Sequence, residues 1–154
     1  MSVKLAERFQ AAQGAPVEVD GQLAHMMYEL PPVTAPVRLR IALRPGGERP
    51  EGLRLKARNG QVVVNDQGLD DVVLWSDSAP PEVLATLEPA GTKPMSVRAW
   101  NTWRDQQGAM QAWIGDAGIV VEEAGDGRVT LHCSDGFDRP SFGDLVVELA
   151  VEPA

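Results

Sequence analysis

Residues 37–44 read VRLRIALR, and residues 53–58 read LRLKAR. In the first stretch Val37, Leu39, Ile41 and Leu43 alternate with Arg38, Arg40, Ala42 and Arg44; in the second, Leu53, Leu55 and Ala57 alternate with Arg54, Lys56 and Arg58. Successive side chains leave opposite faces of a pleated backbone, so a period of two marks a strand buried on one face and wet on the other. The intervening PGGERPEG (45–52) is rich in residues that break helices and suit loops.

Working outward, short apolar runs recur along the chain: QVVVN, DVVLW, EVLATL, GIVVEE, RVTLHC and DLVVELAV. They are separated by NDQGLD, SDSAPP, EPAGTKP, EAGDG and SDGFDRPSFG, segments built from turn residues. No long helical pattern interleaves them, which argues against a parallel α/β sheet. The expectation is one all-β domain over residues 1–154, a two-sheet antiparallel sandwich or jelly roll of about ten strands, with a closed barrel as the alternative. Residues 1–20 form a terminal arm. Leu5 and Phe9, with Val3 a further candidate, can share a helical face there before Gly14 and Pro16 stop the helix.

Composition narrows the class of protein. With 14 basic and 22 acidic residues the net charge is −8, which favours solubility and opposes non-specific binding to nucleic acid or anionic membranes. A single cysteine, Cys133, permits no internal disulfide. The amino-terminal MSVKLAERFQ lacks the apolar core of a signal peptide, and no run approaches the roughly 20 apolar residues of a membrane span. A soluble, cytoplasmic protein is expected.

Residues 96–114, SVRAWNTWRDQQGAMQAWI, hold three of the four tryptophans. A hairpin turning at Gln106–Gln107 sets Trp100 opposite Trp113, Thr102 opposite Gln111 and Arg104 opposite Ala109, with Trp103 inward. An odd-length loop would shift these partners by one. The outward Trp100–Trp113 pair, ringed by Arg98, Thr102, Arg104 and Gln111, has the makings of a carbohydrate platform, since flat indoles stack on sugar rings while amides and guanidinium groups orient hydroxyls. The plainer reading is a covered cross-strand aromatic pair that stabilises the sheet. GLDDVVLW (68–75) and SFGDLVVEL (141–149), each an acidic turn leading into an apolar strand, form a pattern similar to the closing strands of many carbohydrate-binding jelly rolls. It covers under ten residues each time and singles out no family.

If the two opening strands pair, Arg38, Arg40, Arg44, Arg54, Lys56 and Arg58 make a basic stripe for an anion or an acidic partner. The acidic carboxyl-terminal strands could instead neutralise it through Glu148, Glu152 or Glu123, and outward cations also guard strand edges. Asp135, Asp138 and Asp144 share a glycine-rich loop that could offer oxygens to calcium, although aspartate and glycine dominate turns in any case; Asp70 and Asp71 read the same way. His132 and Cys133 are adjacent in a strand and leave opposite faces, so they do not grip one metal. With the EAGDG turn centred on Gly125–Asp126 or Asp126–Gly127, Cys133 falls with Val120, Val129 and Leu131 as a buried hydrophobe, and His132 falls with Glu123, Arg128 and Thr130.

No phosphate loop, nucleophile elbow, dinucleotide fingerprint or zinc spacing is present. The leading expectation is a non-catalytic ligand-binding module using the tryptophan face, with carbohydrate as ligand and no cofactor beyond that candidate calcium. The alternative is a structural protein that self-associates, or meets a protein partner, through a sheet face or the basic strands. A small enzyme built on His132 with Glu123 or Asp135 ranks third.

Overall fold

The computed structural model describes residues 3–137 and 139–154. A helix, α1 (Leu5–Ala11), precedes β1 (Val17–Val19), β2 (Gln22–His25), β3 (Tyr28–Glu29), β4 (Val37–Pro45), β5 (Glu51–Arg58), β6 (Gly60–Val64) and β7 (Gln67–Leu69). The chain continues through β8 (Asp71–Trp75), β9 (Glu82–Pro89), β10 (Ser96–Arg104), β11 (Met110–Gln111), β12 (Asp116–Gly125), β13 (Arg128–Gly136) and β14 (Leu145–Pro153). Ten of these strands have four or more residues; β1, β3, β7 and β11 are shorter additions at sheet margins.

Two antiparallel sheets result, one of nine strands ordered β1-β2-β12-β13-β14-β4-β9-β6-β7 and one of five ordered β11-β10-β5-β8 with β3 also on β10. The fold is an all-β sandwich. A closed barrel is ruled out by the separate sheets. Period-two burial operates as the sequence implies: Leu39, Ile41 and Leu43 of β4 face inward beside Leu145, Val147 and Leu149 of β14. Leu53, Leu55, Val97 and Ala99 from the smaller sheet meet them in one continuous core. Burying such side chains contributes about 1.5–3 kcal/mol each before entropy is set against it.

One expectation is corrected. β4 and β5, the strands expected to pair, belong to different sheets: β4 lies between β14 and β9, and β5 between β10 and β8. The connecting PGGERPEG loop therefore crosses between layers rather than closing a hairpin.

The helix is held from a distance. Leu5 and Phe9 are buried against Ala24, with Phe142 and Met26 packed alongside, whereas Val3 is exposed. Lys4 at the N-cap gives no side-chain cap. Asp116 of β12 takes that role, accepting the Leu5 amide at 3.0 Å and the Lys4 ammonium at 3.1 Å. A carboxylate at a helix start satisfies an orphan donor and meets the positive end of the dipole. Asp116→Ala is expected to lower the unfolding free energy by about 1–2 kcal/mol, with loss of protection at the first helical amides. An unchanged urea midpoint would show that the helix docks without this cap.

Candidate functional site

The tryptophan hairpin takes the odd-length alternative. Trp103 pairs with Gln111 and Arg104 with Met110, so the loop is Asp105–Ala109 and every partner in the two-residue reading moves by one. Asp105 sets that length: its Oδ1 accepts the Gln107 and Ala109 amides at 2.9 Å, and its Oδ2 accepts the Gln111 side-chain amide at 2.9 Å. These donors, the Ala109 amide first, hold the Asp105 carboxyl below its ordinary range. Gly108 supplies the left-handed backbone (φ +82°).

Trp113 lies beyond the end of β11, with φ +58°, an uncommon conformation for a bulky residue. That bend swings its ring onto Trp100 (centroids 4.8 Å apart, planes inclined by 31°), and its Nε1 donates to the Met26 carbonyl at 2.9 Å. Trp100 and Trp113 thus meet, but by a fold-back and not across a ladder. Trp100 is only 5% exposed and Trp113 37%. The Arg54 guanidinium sits 5.5 Å from the Trp100 ring centre. The expectation of an open indole pair is corrected: Trp100 projects from the same outer face as its register partner Arg54, but its ring is covered. Of the other residues placed around it, Thr102 is buried and donates to the Gln111 carbonyl at 2.6 Å. Arg104 turns aside to Asp77 (3.1 Å) and the Trp75 ring (4.1 Å), and Arg98 stays exposed opposite Glu29 and Lys56.

The basic stripe is divided between the two outer faces of the sandwich. On the larger sheet Arg40 pairs with Glu82 and with Glu152 (3.1 Å), and Arg44 with Glu148 (3.1 Å), leaving Arg38 exposed. On the smaller sheet Arg54 pairs with Asp71 at 2.6 Å, beside exposed Lys56 and Arg58. Hydrogen bonding from Arg40 keeps the Glu152 carboxyl below its ordinary range, as Arg54 does for Asp71. Neutralisation through Glu148 and Glu152 follows the sequence expectation. Glu123 takes no part in it.

Glu123 is elsewhere because of a bulge. The β12–β13 turn is Asp126–Gly127, both with positive φ (55° and 74°), one of the two registers the sequence allows. The register then shifts between Glu123 and Gly125, and the extra residue turns Glu123 to the inner face beside Val129. His132 consequently pairs with Val120 and contacts Glu122 at 2.9 Å, so the assignments of His132 to Glu123 and of Cys133 to Val120 are both corrected. Asp135 leaves the opposite face of β13 from His132, which disassembles the small-enzyme constellation. Cys133 is fully buried beside Ile119, Val129 and Leu131; burial first, then the Glu51 and Asp144 charges, push its thiol up, away from a nucleophilic thiolate.

Of the calcium candidates, Asp135 and Asp144 meet, the Asp135 amide donating to Asp144 Oδ2 at 3.0 Å, while Asp138 lies outside the described residues. Asp135 spends Oδ1 on the Phe137 amide (2.9 Å) and Oδ2 on the Arg49 guanidinium (3.1 Å). A guanidinium thus stands beside Asp135 where a cation would sit, and no group of three or more His, Cys, Asp or Glu among the described residues is arranged to hold a metal. Asp70 and Asp71 flank the start of β8, with Asp71 committed to Arg54.

Sequence reasoning missed Glu51. Its side chain is 2% exposed, and neither oxygen meets a protein N–H or O–H donor. The nearby Asp135 and Asp144 carboxylates act on it through their charge. Burial first, then the Asp135 and Asp144 charges, raise Glu51 to about 9.

A cleft among the described residues brings together side chains that the sequence did not group into one site. At one end of the sandwich, between the 30–37 segment and the tip of the β12–β13 hairpin, the sheets part around a cleft of about 560 Å3. Leu30, Val33, Val129 and Leu149 line its inner end and belong to the core; Val37 and Val151 flank them. Tyr28, Thr34, Glu123, Asp126 and Arg128 supply the polar groups. The Tyr28 hydroxyl is raised by burial and then by the Glu123 carboxylate, so it stays a neutral donor. Two features of the sequence point here: PPVTAP (31–36), which cannot donate fully to a ladder, and the bulged EAGDG turn.

No family model matches the chain, and no curated protein matches it. No described helix is long and apolar enough to cross a membrane.

Glu51 generates a pH prediction. A carboxyl whose folded pKa exceeds its unfolded value adds protons to the native state, so its favourable contribution is complete below about 4.5 and fades as pH rises toward 9. Glu51→Gln is expected to raise the melting temperature at pH 8, to matter little at pH 4, and to flatten the stability profile between them. Equal melting shifts at both pH values would show that Glu51 titrates normally in the folded protein.

Proposed function

We propose that this protein is a non-catalytic binding module that takes an apolar small molecule, or an apolar chain with a polar end, into the cleft between its sheets. The single observation carrying this reading is the continuity of the cleft with the core. Its inner wall consists of buried core side chains and its flanks of the half-buried Val37 and Val151, so a ligand there covers the apolar surface that remains open at that end. Its volume of about 560 Å3 lies within the roughly 300–1,000 Å3 common for small-molecule sites. The polar groups are few and of mixed sign, which suits orienting one end of a ligand rather than neutralising a strongly charged one.

The carbohydrate platform on the Trp100–Trp113 face loses its support because Trp100 is covered. Assembly through the basic strand pair loses its support because those strands stand in opposite layers.

The neutral fluorophore N-phenyl-1-naphthylamine tests the reading. Its emission is expected to rise saturably with the wild-type protein. Ala35→Trp, a bulky ring on an exposed lip of the cleft, should weaken that binding at least tenfold, about 1.4 kcal/mol, without changing the melting temperature. Leu84→Trp, on the outer face of β9, should leave it intact. No enhancement, or equal binding by the Ala35 variant, would remove the cleft from consideration.

A further inference from the structure

The opposite end of the sandwich holds a second concavity. A trough of about 430 Å3 runs between the Asp105–Ala109 loop and the end of β13. One wall carries Gln106, Gln107 and Gln111; the other carries Arg49 and Phe137; Trp103 and Ile114 complete it. Two large apolar side chains stand exposed at this one place, Phe137 at 62% and Ile114 at 50%. Scattered exposed hydrophobics need no explanation, but two along one amide-lined trough point to a surface that is covered in use.

Several of the parts are held by contacts within the protein. Arg49 is anchored to Asp135 at 3.1 Å and lies 4.2 Å from the centre of the Phe137 ring, supporting it from beneath. Asp135 also accepts the Phe137 amide, which orients the residue. Gln111 is held by Asp105, and that same carboxylate sets the loop carrying Gln106 and Gln107. Gly136, with φ +78°, lets the chain pass so close to the Ile114 carbonyl that a Cβ would stand 2.6 Å from it.

The chemistry selects among ligands. An anion would meet Asp105 and Asp135, and the one guanidinium is already paired; a cation would meet Arg49. A purely apolar ligand would strand the amides of Gln106 and Gln107. What fits is a neutral molecule with an apolar face for the ring and hydroxyls for planar amides. From this we infer that the trough binds a neutral saccharide, its C–H face on Phe137 and Ile114 and its hydroxyls on the glutamine amides. This site is independent of the inter-sheet cleft and uses only Gln111 of the residues first assigned to sugar binding.

Nitrogen–proton NMR spectra with cellotriose, maltotriose, chitotriose and laminaritriose test it, read at the Trp103 indole and the Gln106 and Gln107 side-chain amides. At least one trisaccharide should shift these signals saturably. Phe137→Ala should weaken that binding about tenfold and Gln107→Ala about threefold, both at unchanged melting temperature because both side chains are exposed. Ala35→Trp should not affect it, and N-phenyl-1-naphthylamine should not compete, which separates this site from the cleft. No shift with any of the four, shifts located only at the cleft, or full binding by Phe137→Ala would overturn the inference.

Discussion

Each sheet has one face that must leave water, and the matching face of the other sheet covers most of it. Everything else in the molecule is arranged around that constraint. Leu39 and Ile41 of β4, Val147 and Leu149 of β14, and Leu53 and Leu55 of β5 are all at or near complete burial because the layers press together over them. Close packing at the density of an organic crystal leaves such a core little freedom to rearrange. Functional variety therefore falls to the ends, where strands finish and the layers need not match.

The two ends are finished differently. Near the trough the layers are tied by polar contacts: Asn101 of β10 donates to the Ser134 carbonyl of β13 at 2.8 Å, and Ser134 in turn donates to the Asp116 carbonyl at 2.9 Å. Buried Glu51 and the Arg49–Asp135 ion pair lie in the same region. At the other end the proline-rich 31–36 segment and the bulged β12–β13 hairpin bound the cleft, and the gap keeps its apolar lining. One end is closed by hydrogen bonds with a polar trough outside it; the other is open with an apolar interior. The two concavities consequently suit ligands of different chemistry.

Much of the fold was legible in the chain because period-two patterning reports directly on which face is buried. The alternation in β4 and β5, the burial of Cys133 and the outward placement of Glu148 and Glu152 follow from it, while the Leu5–Phe9 face of the helix follows from a four-residue spacing. Patterning does not report which strand lies beside which. A leucine facing inward from β4 looks the same whether its neighbour is β5 or β14, so the basic stripe could not be located from sequence. Side chains that reset a register were equally opaque. Asp105 lengthens its hairpin loop by bonding two amides, and the bulge between Glu123 and Gly125 moves Glu123 from the outer to the inner face. Each is a single-residue event that reverses every face assignment beyond it. The site residues missed, Arg49, Glu51, Phe137 and the cleft lining, come from segments far apart in the chain, and only the sandwich brings them together.

Methyl carbon–proton NMR of the folded protein with N-phenyl-1-naphthylamine reads the inter-sheet site at the residues that build it. Ring-current shifts are expected at the methyls of Leu30, Val33, Val129 and Leu149, with those of Leu23, Leu69 and Leu84 on the outer surface unmoved. Shifts confined to the outer methyls, or none at the four inner ones under conditions where the fluorophore binds, would contradict binding in the cleft.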